Sequence, residues 1–158
     1  MEFRDERITF ETAKLAKEKL FNVGVNGSYA EYHKTHKSDN PSFRTKKGEI
    51  EYDGSSYFIN NHFSDFSNAN YTMYAAPTQS LLAKWLRDAH DIQVYAYSHT
   101  IRDPHPPMGT AKYRDYVVYV NEKAINDARD EEYQTYEQAL EAGLKYALNT
   151  LEIDSETK

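Results

Sequence analysis

The segment from 136 to 151 constrains the fold more than any other part of the chain. Thr135 precedes it and Gln138 follows three residues later, a combination typical of a capping box at a helix N-terminus. Apolar or small residues then recur at the spacing of one helical face: Tyr136, Ala139, Leu140, Gly143, Leu144, Ala147, Leu148 and Leu151. Gly143 lies inside this stripe, where glycine costs about 1 kcal/mol relative to alanine. We therefore predict a helix that packs closely against a sheet at Gly143.

Two earlier segments also predict helices. The first runs from Phe10 to about Leu20, and Thr9 is placed to cap it. The second follows Thr78 and continues to about residue 90, with one apolar face. Trp85 lies on that face, and we expect it in the core because a buried indole contributes a large contact area.

Alternating and turn-forming residues predict an antiparallel sheet. Residues 92–98 and 113–121 alternate in the manner of strands and predict a hairpin with a long loop. Asp53-Gly54 predicts the turn of a shorter hairpin, and residues 71–75 predict one more strand. Since no linker separates two regions, we predict a single domain over 1–158. Its class is α+β, a small antiparallel sheet with about three helices packed on it.

Composition excludes several classes of protein. The chain has no cysteine, which excludes a disulfide scaffold, a zinc finger and a thiol nucleophile. Its apolar runs are too short for a transmembrane helix, so we expect no membrane association. The N-terminus has mixed charge and no apolar core of a secretory signal. We therefore expect a cytoplasmic protein.

The net charge of -6 is concentrated at one end of the chain. Residues 121–158 carry ten acidic and four basic side chains, an excess that repels phosphate. One stretch, 33–47, is locally basic and is typical of a solvated loop. An alternative is that it binds nucleic acid or a nucleotide, together with stacking tyrosines. The cations concerned are Lys34, Lys37, Arg44, Lys46 and Lys47.

Three segments occur in a characteristic order: ITFETAKLAKEKLF, APTQSLLAKWLRDAHDIQV and TYEQALEAGLKYAL. The combination resembles a family of short proteins encoded by gut anaerobic bacteria and often by their phages and mobile elements. Leu20 stands where that family commonly has glycine, and residues 25–76 are longer than its usual middle region. The resemblance implies a phage or mobile-element accessory protein in a bacterial cytoplasm. It implies no activity and no catalytic residue.

Signatures of catalysis or of cofactor binding are absent from the sequence. His33 and His36 form an H-x-x-H pair outside any predicted helix, which is a weak metal motif, so we expect no metal site. The glycine-rich motifs of nucleotide sites and the serine motif of hydrolases are missing. We therefore expect no cofactor and favour a protein that is not an enzyme, with an enzyme as the last alternative.

Tyrosine is the most distinctive residue type, with 14 in the chain. Tyr95 and Tyr97 share one face of a predicted strand, and Tyr113 begins its partner. Tyrosines at such positions are typical either of a half-buried sheet or of a recognition surface. Our leading hypothesis is a module that binds a protein partner or a second copy of itself. A minor virion component is a further alternative.

Overall fold

The computed structural model describes residues 6–33, 47–60, 70–102, 112–126 and 133–152, with the backbone alone at 55–56, 99–102 and 112–115. The elements, in chain order, are α1 (Phe10–Glu18), β1 (Val25–Tyr32), β2 (Ile50–Phe58), β3 (Tyr71–Ala75), α2 (Gln79–His90), β4 (Val94–Arg102), β5 (Lys112–Val120), β6 (Lys123–Ala124) and α3 (Tyr136–Thr150). The three predicted helices and the α+β class are confirmed. None of the helices in these ranges is long and apolar enough to cross a bilayer.

The strands form two antiparallel sheets, with the orders β2-β1-β3 and β4-β5-β6. The chain divides correspondingly into two compact units, Arg7–Thr78 and Gln79–Lys158, the second together with Met1–Glu6. Each unit places its own helices beside its own sheet. The single domain over 1–158 stays a prediction.

In the unit Arg7–Thr78, α1 packs on the β2-β1-β3 sheet through aromatic contacts. The helix begins after Thr9, whose hydroxyl accepts the Thr12 backbone N–H at 3.4 Å, as the sequence predicted. The ring of Phe10 meets Tyr29 and Tyr74 edge-on, with centroids 5.8 and 5.4 Å apart. The helix α1 therefore lies on the face of the sheet that carries Tyr29 and Tyr74, and not on the opposite face.

The predicted turn at Asp53-Gly54 is wrong, because both residues lie inside the continuous strand β2. Asn26 pairs with Tyr57 and Ser28 with Asp53, so Gly27 alone in β1 is opposite residues 54–56 of β2. The strand therefore absorbs its extra residues in a bulge. Glycine serves bulges as readily as turns, since it adopts backbone angles that other residues avoid.

In the unit that contains α3, the helix packs on the sheet as predicted. A Cβ built on Gly143 would lie 2.5 Å from Val118 Cγ1 and 2.8 Å from Val94 Cγ1, so hydrogen alone fits there. The predicted cap is also confirmed, since Thr135 Oγ1 accepts the Gln138 N–H at 3.1 Å. Gln138 Oε1 in turn accepts the Gln134 N–H at 3.2 Å.

The predicted hairpin of residues 92–121 is confirmed as β4 and β5, with Val94 opposite Val120 and Arg102 opposite Lys112. In α2 the predicted apolar face buries Leu82 and Leu86. Trp85 is half-buried rather than fully in the core. Its ring packs edge-on against His90, 4.5 Å between centroids.

Candidate functional site

The face of β4 and β5 that carries alternate tyrosines is the first candidate surface. Val94 points toward α3, so its neighbours in the strand, Tyr95 and Tyr97, lie on the opposite face. Tyr97 is 63 % exposed and Tyr95 41 %. Tyr95 stacks on Tyr119 of β5, with ring centroids 5.1 Å apart and planes within 6°. The predicted shared face of Tyr95 and Tyr97 is confirmed.

The other predicted binding residues are placed only in part. Tyr113 lies in β5 opposite Ile101 of β4. Lys47 is exposed in the turn that precedes Gly48. The remaining cations of the basic stretch lie outside the described residues: Lys34, Lys37, Arg44 and Lys46. A site that combines the basic stretch with the tyrosines therefore stays a prediction.

The histidines give no metal centre in the part of the chain that is described. His33 is exposed, and its Nε2 lies 2.6 Å from Thr72 Oγ1, within hydrogen-bonding distance. His36 lies outside the described ranges, so the H-x-x-H pair stays untested. Across those ranges no three His, Asp or Glu side chains converge in an arrangement suited to a metal ion.

A concavity that sequence reasoning missed lies on the β2-β1-β3 sheet. Its volume is about 240 Å³. The residues that line it come from all three strands: Ser28, Ala30, Tyr32, Glu51, Tyr52, Asp53, Tyr71 and Met73. Ser28, Ala30 and Tyr32 alternate in β1 with Tyr29, which packs on Phe10 of α1. The concavity therefore occupies the face of the sheet opposite α1.

Strand pairing explains why these residues meet. Ser28 is opposite Asp53, and Ala30 is opposite both Glu51 and Met73. Tyr32 is opposite Tyr71 at the same end of the sheet. Apart from Tyr52, whose ring packs on that of Tyr29, the lining residues of each strand are spaced i and i+2, which puts their side chains on one face, and the register brings the three rows side by side.

Tyr32 and Glu51 form the polar end of the concavity. The Tyr32 hydroxyl donates a hydrogen bond of 2.7 Å to Glu51 Oε2. Burial raises the pKa of Tyr32 to about 12, and the hydrogen bond to Glu51 and its negative charge add to the rise. Tyr32 therefore stays protonated at neutral pH and holds the Glu51 carboxylate in place. The rings of Tyr32 and Tyr71 lie 5.8 Å apart between centroids.

Ser28 lies at the end of the β1 lining residues opposite to Tyr32, and it is only 1 % exposed. Its Oγ has no hydrogen-bond partner among the described residues. A buried hydroxyl without a partner costs free energy in a folded protein, so such groups are uncommon and call for an explanation. Ser28 is among the residues that line the concavity, and a hydroxyl has one donor and two acceptor positions.

Comparisons with known proteins add no identification: no protein-family model matches the chain, and no curated protein or solved structure is significantly similar to it. The functional argument therefore rests on the geometry of the two surfaces.

Proposed function

We propose that the protein is a non-enzymatic binding module whose partner is another protein, in the simplest case a second copy of the chain. The exposure of Tyr95 and Tyr97 on one sheet face carries the proposal. Tyrosine supplies contact area, loses little rotamer entropy on binding and keeps a polar end, which suits recognition surfaces. The stack of Tyr95 on Tyr119 holds one of these rings in a fixed orientation before any partner arrives.

The edge of the same sheet also supports the proposal. The strand order β4-β5-β6 makes β4 an edge strand, and no strand pairs with its outer side among the described residues. β4 is nine residues long, and an edge of that length is a template for backbone pairing with another chain. Antiparallel pairing of two β4 edges would generate a two-fold dimer with a continuous sheet.

Sedimentation velocity over a range of concentrations tests the proposal. We expect a concentration-dependent dimer in which Y95S/Y97S raises the dissociation constant about tenfold or more, because tyrosines at interface centres carry much of the binding energy. Tyr57→Ser is the matched control, since Tyr57 is similarly exposed, at 67 %, but lies in β2. A strict monomer that also retains no specific partner in pull-downs from host lysate would contradict the proposal.

The biological setting is part of the same proposal. The resemblance of three segments to proteins of gut bacteria, phages and mobile elements supports an accessory role inside a bacterial cell. A minor virion component stays an alternative, which mass spectrometry of purified particles tests. Nucleic-acid binding through the basic stretch also stays a prediction, tested by the salt dependence of retention on immobilised DNA or RNA.

A further inference from the structure

We propose that the concavity on the β2-β1-β3 sheet is a second binding site, and that it takes an organic cation bearing N–H donors, a primary ammonium or a guanidinium group. This site lies in a different unit from the tyrosine surface of β4 and β5 and does not depend on the function proposed above. Charge, aromatic surface, an unsatisfied hydroxyl and size each support the proposal.

Charge selects a cation. Glu51 and Asp53 follow each other at i and i+2 in β2 and both line the concavity, whereas no Lys, Arg or His is among its described lining residues. Both carboxylates are in exposed residues, so an incoming cation can pair with them without full desolvation of the acid. An anion would meet two like charges at the same surface.

The aromatic rings favour an organic cation over a metal ion. Tyr32 and Tyr71 face each other across β1 and β3 at the end of the concavity where Glu51 lies. An ammonium or guanidinium within about 6 Å of a tyrosine ring is attracted by the negative face of the ring. Tyrosines of this unit already make such contacts: Arg7 lies 5.6 Å from the centre of the ring of Tyr52, itself a lining residue, and Lys17 Nζ lies 5.0 Å from that of Tyr74.

Ser28 favours a cation that carries N–H groups. Its buried Oγ can accept a hydrogen bond, and an N–H donor on the ligand would satisfy a group that has no partner among the described residues. A quaternary ammonium has no N–H donor and would form no hydrogen bond with Ser28 Oγ. The proposal therefore ranks a primary ammonium or a guanidinium above a tetraalkyl ammonium of similar size.

The volume sets the size of the ligand. About 240 Å³ is below the roughly 300–1,000 Å³ typical of sites for drug-sized molecules. The concavity therefore suits one cationic group and its short alkyl stem, supplied either by a small amine or by a Lys or Arg side chain of a peptide. The chemistry of recognition is the same for both sources.

The test is an NMR titration of the full chain with n-butylammonium. We expect saturable shifts of the backbone amides of Ser28, Glu51 and Tyr71, and weaker binding of tetramethylammonium. Uncharged n-butanol and anionic butyrate should leave these amides unchanged. Equal responses to n-butanol, or shifts that do not include these strands, would overturn the proposal.

Matched variants distinguish binding in the concavity from nonspecific attraction of a cation to the acidic protein. E51Q should weaken the binding of n-butylammonium about twofold to fivefold, the range of an exposed ion pair. E18Q makes the same charge change at an exposed residue of α1, on the other face of the sheet, and should have no effect. S28A should weaken n-butylammonium about threefold while leaving tetramethylammonium unchanged, as expected for loss of one hydrogen bond. Equal effects of E51Q and E18Q would overturn the proposal.

Two arms distinguish the sources of the cation. A capped peptide, acetyl-Gly-Gly-Lys-Gly-Gly-amide, that binds more tightly than n-butylammonium supports a polypeptide source, and one that binds less tightly supports a small amine. Thermal unfolding of each variant confirms that it folds. If S28A does not fold, Tyr71→Leu replaces it. Tyr71→Leu should weaken the binding of n-butylammonium and of tetramethylammonium, because it removes an aromatic ring that would contact either cation.

Discussion

Leu20 adopts a backbone conformation that favours glycine. Its φ of 64° is in the left-handed region, and it is 57 % exposed. The position closes α1: the Leu20 N–H bonds to Lys17 O at 3.1 Å and the Phe21 N–H to Ala16 O at 2.9 Å, the two hydrogen bonds of a Schellman motif. A side chain at such a position crowds the backbone, whereas glycine does not.

We predict that Leu20→Gly stabilises the protein by about 0.5–1 kcal/mol, because relief of left-handed strain exceeds the entropy that glycine adds to the unfolded chain. Little burial is lost, since the leucine is exposed. Urea unfolding measures the change. Glu18→Gly, in the last turn of α1, is the control and should destabilise by a similar amount. A lower stability of Leu20→Gly would contradict the prediction.

At the scale of elements, the helices could be predicted from local capping residues. The concavity could not, because it depends on pairing between strands that are distant in sequence. Thr9 and Thr135 mark helix starts within a few residues of chain, and both cap as predicted. Ser28, Glu51 and Tyr71 meet only through the register of three strands, which no local window contains. The available signal was the i and i+2 spacing of polar and aromatic residues in these strands. The turn predicted at Asp53-Gly54 divided β2 in two, so the spacing of Glu51 and Asp53 within one strand was missed.

The contact of α3 with its sheet gives a prediction about Gly143. A Gly143→Ala change adds helix propensity worth about 1 kcal/mol, but its methyl would overlap two valine methyl groups. Overpacking of a core costs typically 1–3 kcal/mol, so we expect a net loss of about 1 kcal/mol in the free energy of unfolding. Urea denaturation followed by circular dichroism measures it.

Val118→Ala provides the control for this explanation. Val118 is fully buried, so the single change destabilises by leaving a cavity. In the double variant the alanine methyl at 143 enters the space that the valine leaves, and we expect the two effects to sum to more than the measured loss. Strict additivity would show that overlap with Val118 is not the cause of the loss in Gly143→Ala.

At the scale of the whole molecule, the class and the helices were predictable, but the division of strands between sheets was not. Each helix is indicated in the sequence by a capping residue and an apolar face. The strands from 25–32 to 112–120, by contrast, share similar alternation and tyrosine content. Nothing in that pattern says which strand pairs with which. The shared face of Tyr95 and Tyr97 was predictable, because alternation against Val94 and Ala96 depends on the strand alone.

Global stability should fall in alkali for a reason that the β2-β1-β3 sheet provides. Burial, together with hydrogen bonds to Glu51 and Glu31, raises the pKa of Tyr32 and of Tyr74 from 10.0 to about 12. Between these values the folded chain keeps protons that the unfolded chain has lost. The stability from these two groups is therefore fully present below pH 10 and is lost as the pH rises toward 12.

We predict that the Y32F/Y74F variant loses less stability than the unmodified protein between pH 8 and pH 11, because neither phenylalanine can ionise. At pH 8 the variant should be less stable by about 0.5–1.5 kcal/mol for each hydrogen bond removed, so the two stability curves converge as the pH rises. Urea unfolding at several pH values, followed by circular dichroism, measures both curves. The single variants divide the effect between Tyr32 and Tyr74. Parallel curves would contradict the prediction, since they would mean that neither hydroxyl holds its proton more tightly in the folded chain.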